Sequence, residues 1–183
     1  MKSGRVLGVQ IRLEKSNRAM RSILVIGLES SCTKIVGQML AINFGLIDSV
    51  SNWDGHEFVE DDQVSIVHRS LPHGRQGNFL SEEFFLRFTD VIVVTRDWSS
   101  SLKSKLHTHN RDNYSAMIEH VTGVGILKGI VANANINSFV FSYESALLLQ
   151  EAYTIDFMKQ LKIENPQHIK FTDVNNKYQI KEI

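Results

Sequence analysis

Four short apolar runs punctuate the chain: Ile23 to Ile26, Val64 to Val67, Val91 to Thr95 and Phe139 to Ser142. Each is rich in β-branched or aromatic residues and short enough to be a strand buried on both faces. Between them the apolar positions recur at helical spacing. The pattern predicts strands over 22–27, 64–68, 90–96 and 138–143. It predicts helices over 33–44, 81–88, 99–106, 113–131 and 145–162. Leu148, Tyr153, Ile155, Phe157, Leu161 and Ile163 give the last of these a largely apolar face. Gly123, Gly125 and Gly129 weaken the 113–131 segment and predict a break near Gly123. Strand and helix patterns that alternate along the chain argue for a three-layer α/β domain, a mostly parallel sheet with helices on both faces. The 22–27 and 90–96 runs are expected to be neighbouring parallel strands.

Length and charge narrow this picture. At 183 residues the chain suits one α/β domain, read as 22–183 behind a basic extension over 1–21. That extension carries Lys2, Arg5, Arg12, Lys15, Arg18 and Arg21 against Glu14 alone. Over the whole chain 20 Lys and Arg balance 20 Asp and Glu, so no global field points to nucleic acid. No stretch reads as a secretory signal or approaches a membrane span. Cys32 is the only cysteine, which excludes an intramolecular disulfide and fits a reducing, cytoplasmic setting.

Candidate chemistry collects where the strands end. The first run breaks into Gly27-Leu28-Glu29-Ser30-Ser31-Cys32-Thr33-Lys34. A strand feeding a tight turn and then a helix is a ready anion site, because free amides and the positive end of the helix dipole converge there. Ser30, Ser31 and Thr33 add hydroxyl donors, and Lys34 adds an ammonium. The order is not that of a Walker A loop, which wants Gly-Lys followed by Ser or Thr. The second run, 90–96, ends in Arg96-Asp97-Trp98, with Ser104 about two helical turns further on. Ligands of open α/β sheets bind at the carboxyl ends of the strands, so both segments are expected to face one crevice.

After the strand at 64 comes His68-Arg69-Ser70-Leu71-Pro72-His73-Gly74-Arg75. An imidazole there can take a hydroxyl proton near neutral pH, and an arginine can hold sulfate or phosphate oxygens in a fork. Strand alternation puts His68 and Arg69 on opposite faces if the strand runs through them. Upstream, the acidic stretch around Glu57 lacks the glycine and alternation of a calcium loop and reads as solvated. His107 and His109 are two apart, poor helical partners for a metal. His120 and His168 receive no role.

These residues resemble the sulfotransferase family. There a loop of the form G-x-P-[RK]-S-G-T-[TS] holds the 5′-phosphosulfate of the donor 3′-phosphoadenylyl sulfate (PAPS), and R-[DN]-P-x-x-x-x-x-S holds its 3′-phosphate. Gly27, Ser31 and Thr33 match the first motif, and Arg96 and Ser104 the second. The likeness covers roughly residues 22–163. Glu29 and Ser30 replace the usual proline and basic residue, Cys32 replaces the loop glycine, and Trp98 replaces the second motif's proline. Tyr143-Glu144 resembles the family's Y-E-D-L, with Tyr143 as a wall of the adenine pocket. Leu71-Pro72 aligns with the end of K-T-H-L-P, which puts Ser70 where the catalytic histidine stands and His68 at the lysine.

The resemblance implies a P-loop-like fold and transfer of a sulfuryl group from PAPS to a hydroxyl or amine of a glycan or small metabolite, with no metal. The donor would be held by Ser30, Ser31, Cys32, Thr33, Lys34, Arg96, Ser104 and Tyr143. The family's base does not transfer to Ser70, so His68 and His73 compete for that role beside Arg69 and Lys34, with Glu57 as the next candidate. Two alternatives stand beside it: a nucleotide-dependent kinase in which Asp97 holds Mg²⁺, and a non-catalytic anion-binding descendant of the fold.

Overall fold

The computed structural model describes residues 20–47, 58–60, 63–71, 80–109 and 112–173. Four strands form a parallel sheet: β1 (Arg21–Leu28), β3 (Val64–Leu71), β4 (Asp90–Thr95) and β5 (Ser138–Ser142). A fifth, β2 (Phe58–Glu60), runs antiparallel to β3 at one edge, giving the order β2-β3-β1-β4-β5. The acidic stretch expected as a loop thus contributes an edge strand. The expected neighbours do pair in parallel, with Ile23 opposite Asp90 and Gly27 opposite Val94.

Helices cover both faces, which makes this a three-layer α/β fold. On one face α1 (Thr33–Asn43), α5 (Tyr143–Leu149) and α6 (Glu151–Gln160) pack on Ile23, Val25, Ile66, Ile92 and Phe141. On the other, α2 (Glu82–Phe85) and α4 (Asn113–Ala132) pack on Leu24, Ile26, Leu28, Val91 and Val93. The central runs β1 and β4 are apolar at successive positions because each buries both faces. At the amino end of the sheet Arg21 closes the structure. Its Nε lies 2.7 Å from the Asp90 carboxylate and its Nη1 donates to the Leu161 carbonyl at 2.8 Å. Arg21 therefore belongs to β1 rather than to the basic extension.

Local chemistry sets most of the helix ends. Asp112 caps α4 by accepting from the Ser115 amide at 2.9 Å, and Ser142 caps α5 by accepting from Ser145 at 3.1 Å. Gly45, at φ 71°, turns the chain out of α1. Two expectations change. The 145–162 helix divides at Gln150 (φ 47°), whose side-chain amide donates to the Leu147 and Phe171 carbonyls and accepts from the Phe171 amide. The break near Gly123 does not occur. Gly123 instead lets α4 press onto the sheet, since a Cβ there would stand 2.4 Å from Leu28 Cδ2. Among the described residues α4 is also long and apolar enough to cross a membrane, with 28% of that window buried against the domain.

Candidate functional site

β1 and β4 are adjacent and parallel, yet α1 leaves β1 toward one face while the chain after β4 enters α3 (Trp98–His109) and α4 on the other. Their carboxyl ends therefore part the loops and leave a crevice between them, the place where open α/β sheets bind ligands. Gly27 shapes one wall. A Cβ on it would lie 2.1 Å from Ser31 Oγ and 2.7 Å from the Val94 carbonyl oxygen, so the turn can fold back over the strand only above a glycine. The Ser31 amide donates to the Leu28 carbonyl at 2.9 Å, and the Glu29 amide to Leu71 at 2.9 Å.

Two non-glycine residues of this turn take left-handed backbone angles, Ser30 at φ 69° and Cys32 at φ 70°. Such conformations cost about 1–2 kcal/mol each for ordinary residues and persist where surroundings over-determine them. Cys32 is the N-cap of α1 and makes no side-chain capping bond. The first amides of α1 have no partner within the helix. Ser31 is 2% exposed, and its hydroxyl oxygen has no hydrogen-bond partner among the described residues. A buried hydroxyl without a partner costs about 1–3 kcal/mol, a cost that an oxygen from water or a ligand can relieve.

Arg96 crosses the crevice. Its Nη1 donates to the Ser30 carbonyl, and its guanidinium carbon stands 5.4 Å over the Tyr143 ring. The strand end and the turn are thereby tied by one cation. α3 starts behind it with Asp97 accepting from the Ser100 amide at 2.7 Å, and the hydrogen bonds from Ser100 hold the Asp97 carboxyl below its ordinary range. From α3, Ser101 donates to the Glu29 carbonyl at 3.2 Å. Lys105, fully buried, reaches the Glu119 carboxylate of α4 at 2.9 Å and that of Glu29 at 3.8 Å. The turn is thus braced from below by a buried cation between two acids.

On the α4 side of the sheet a cavity of ≈ 590 Å³ opens beside this turn. Ser31 and Arg96 stand at its polar end, and Val93, Val124, Leu127 and Val140 form apolar wall. His120 and Trp98 line it too, their rings packed edge to face with centroids 3.8 Å apart. Burial, with the nearby Lys105 charge adding to it, pushes the His120 pKa below its ordinary value.

The residues expected to act fall into groups. Ser30, Ser31, Cys32, Thr33 and Arg96 come together at the crevice. Lys34 is exposed on the first turn of α1. Thr33 Oγ1 lies 3.3 Å from Ser70 Oγ, so the position aligned with the family's base holds a serine bound to the turn. His68 and Arg69 do point apart, because β3 continues through both. His68 pairs with Val25 on the α1 face and Arg69 with Ile26 on the α4 face; Arg69 thus shares the cavity's side of the sheet, but neither residue lines the cavity. Burial lowers the Arg69 pKa.

Ser104 is buried on the face of α3 that carries Ser101 and Lys105, and is not part of the cavity wall. Tyr143 is fully buried in the α1-side core, with its hydroxyl donating to the Thr172 carbonyl at 2.7 Å. It supports Arg96 from beneath rather than presenting a wall to a base. His73 and Glu57 lie outside the described residues. Sequence reasoning missed His120, Ser101, Lys105 and the α4 wall. No protein-family model matches the chain, and no curated protein matches it in sequence.

Proposed function

We propose that the crevice binds the phosphosulfate of PAPS and that the protein transfers its sulfuryl group to a hydroxyl or amine acceptor. The observation that carries this reading is the buried Ser31 hydroxyl, unpartnered among the described residues, at the start of α1 beside Arg96. A donor of this kind brings a dense set of anionic oxygens. The turn offers what those oxygens need: a hydroxyl already desolvated, helix amides, and a guanidinium fixed by Ser30 and Tyr143. The strained backbone at Ser30 and Cys32 fits a pre-organised anion cradle. The strand order, with the anion turn on a central strand next to the arginine-bearing one, fits a sulfotransferase-like or P-loop-like arrangement.

In this reading the chain's own residues bind and orient. Ser31, the α1 amides and Lys34 neutralise charge at the transferred group, and Arg96 selects the anionic donor. Donors held in place before the reaction stabilise charge that develops on the bridging and equatorial oxygens. Titration calorimetry with the donor product 3′-phosphoadenosine 5′-phosphate (PAP), and in parallel with ADP plus Mg²⁺, tests the reading. PAP should bind more tightly, and Arg96→Ala should weaken it about tenfold or more, the scale of one charge-assisted contact. Tighter binding of ADP with Mg²⁺ would favour a kinase instead. PAP binding without donor-dependent turnover on an acceptor array would favour a non-catalytic anion-binding protein.

A further inference from the structure

Resting on that reading of the turn, we propose that the cavity on the α4 side is the acceptor site, that it takes a hydroxyl carried on a compact apolar body, and that His120 is the group that accepts the hydroxyl's proton. The cavity has the size of small-molecule sites, ≈ 590 Å³. Its walls are mainly aliphatic, from β4, β5 and α4, and offer a sugar's many hydroxyls few partners. Its polar end is the same Ser31 and Arg96 that face the proposed donor. An acceptor seated on the apolar walls would have its hydroxyl at the boundary between the two.

His120 is the imidazole of that cavity among the described residues. It lies on the inward stripe of α4 with Ala116, Gly123, Leu127 and Ile130, and the Trp98 ring fixes its plane. Lys105 from α3 is the charge that acts on it; Arg96 and Lys128 line the same cavity, and Glu119 and Glu29 are the acids that Lys105 reaches. Burial and Lys105 keep the ring neutral at neutral pH, the form a base requires. In the step, the acceptor oxygen bonds to sulfur as the bond from sulfur to the bridging oxygen breaks. That bond's electron pair stays on the departing phosphate, and the hydroxyl proton passes to the imidazole. The cationic surroundings then favour release of that proton to solvent. Trp98, where the resemblance expects proline, acquires a role as the ring that holds this base.

The test uses 2-naphthol as the apolar hydroxyl probe and glucose as the polar control. Calorimetry without donor should show 2-naphthol binding and no measurable glucose binding. Val140→Trp, on a half-exposed edge-strand position of the wall, should weaken 2-naphthol roughly tenfold while PAP affinity stays unchanged. With PAPS, His120→Gln should lower kcat for 2-naphthol by about a hundredfold or more and remove the acid limb of the kcat–pH profile. KM for 2-naphthol and PAP affinity should stay close to wild type, which also shows that the variant folds. Absence of 2-naphthol binding, or indifference to Val140→Trp, overturns the cavity assignment. Near-full turnover of His120→Gln, or no turnover by wild type with both ligands bound, overturns the base. Binding of 2-naphthol without binding of PAP defeats the donor reading and the base with it, and leaves the cavity assignment standing.

Discussion

The two faces of the sheet are built on different principles, and β5 shows it within two residues. Phe141 is fully buried on the α1 side, whereas Val140 beside it is 49% exposed on the α4 side. On the α1 side Phe141 meets Tyr153, Phe157 and Phe171 at centroid distances of 5.3, 5.0 and 5.7 Å. The chain after α6 is pinned across this face, with the Gln167 amide donating to Asn43 at 2.6 Å and Gln150 bonded to Phe171. On the α4 side lie a cavity, a buried lysine between two acids, a buried histidine and a helix whose Tyr114, Ile118 and Val121 stay exposed. The aromatic cluster around Phe141 fills the α1 side, whereas the α4 side has separate contacts, Phe84 with Phe85 and Phe88 near α2 and Trp98 with His120 at the cavity. The fully buried lysine with its two acids and the ≈ 590 Å³ cavity lie on the side onto which the anion turn opens.

The largest blow to this division should come from Gly27, which sits where the two sides meet the turn. Gly27→Val places carbon against the Val94 carbonyl oxygen, which is backbone in the centre of the sheet and cannot yield. A loss of at least about 3 kcal/mol is expected, read as a lower denaturant midpoint, together with loss of PAP binding. A variant of near-native stability would show that the turn has another way to fold. Next comes the buried cation. Glu119→Gln leaves fully buried Lys105 with the more distant Glu29 carboxylate at 3.8 Å. Lys105→Met instead leaves two acids whose side chains are 22% and 21% exposed, although the Glu29 oxygen that faces the lysine is itself buried. Glu119→Gln should therefore cost more, about 2 kcal/mol once the partial exposure of Glu119 is allowed for, and Lys105→Met less. The reverse order in chemical denaturation would show that Lys105 finds solvent readily.

The contrast between faces also separates what was legible in the sequence from what was not. The central strands, their adjacency and the turn at 29–33 could be read because continuous apolar runs and a break into small hydroxyl residues are local signals. The strain at Cys32 was legible as a cysteine in a loop position that prefers glycine. Lys105 and His120 were not, because burying a charge depends on partners 14 residues or more away in sequence, as in the Lys105–Glu119 pair. A signal for His120 did exist. Once Leu127 and Ile130 fix the inward phase of α4, Ala116, His120 and Gly123 fall on the same stripe. The division at Gln150 had no local signal, since glutamine seldom takes a positive φ and here does so while bonding to a segment 21 residues on.

A smaller, pH-dependent effect should separate the faces further. The His120 pKa is lowered in the fold, first by burial and then by Lys105. The unfolded chain therefore takes up the proton first as pH falls. This group's contribution is fully present above the unfolded value of about 6.5 and is lost as pH drops from there through the folded pKa. Wild-type stability should decline across that acid window, and His120→Gln should flatten the decline. Thermal midpoints at a series of pH values would measure it, and an unchanged slope in the variant would assign the acid sensitivity elsewhere.

The smallest expected effect has the opposite sign and concerns the outer surface of α4. At Gly125 and Gly129 an added Cβ would meet nothing within 4 Å, unlike at Gly123, where it would press on Leu28. In open helical positions the glycine-to-alanine change removes backbone freedom from the unfolded chain and breaks no contact. Gly125→Ala and Gly129→Ala should each stabilise by about 0.5–1 kcal/mol, while Gly123→Ala should be neutral or destabilising as the Leu28 side chain shifts. Urea unfolding of the three variants gives the comparison directly. If Gly125→Ala or Gly129→Ala destabilises the protein in solution, that surface of α4 is not open, and the description of the helix's outer side as facing solvent fails there.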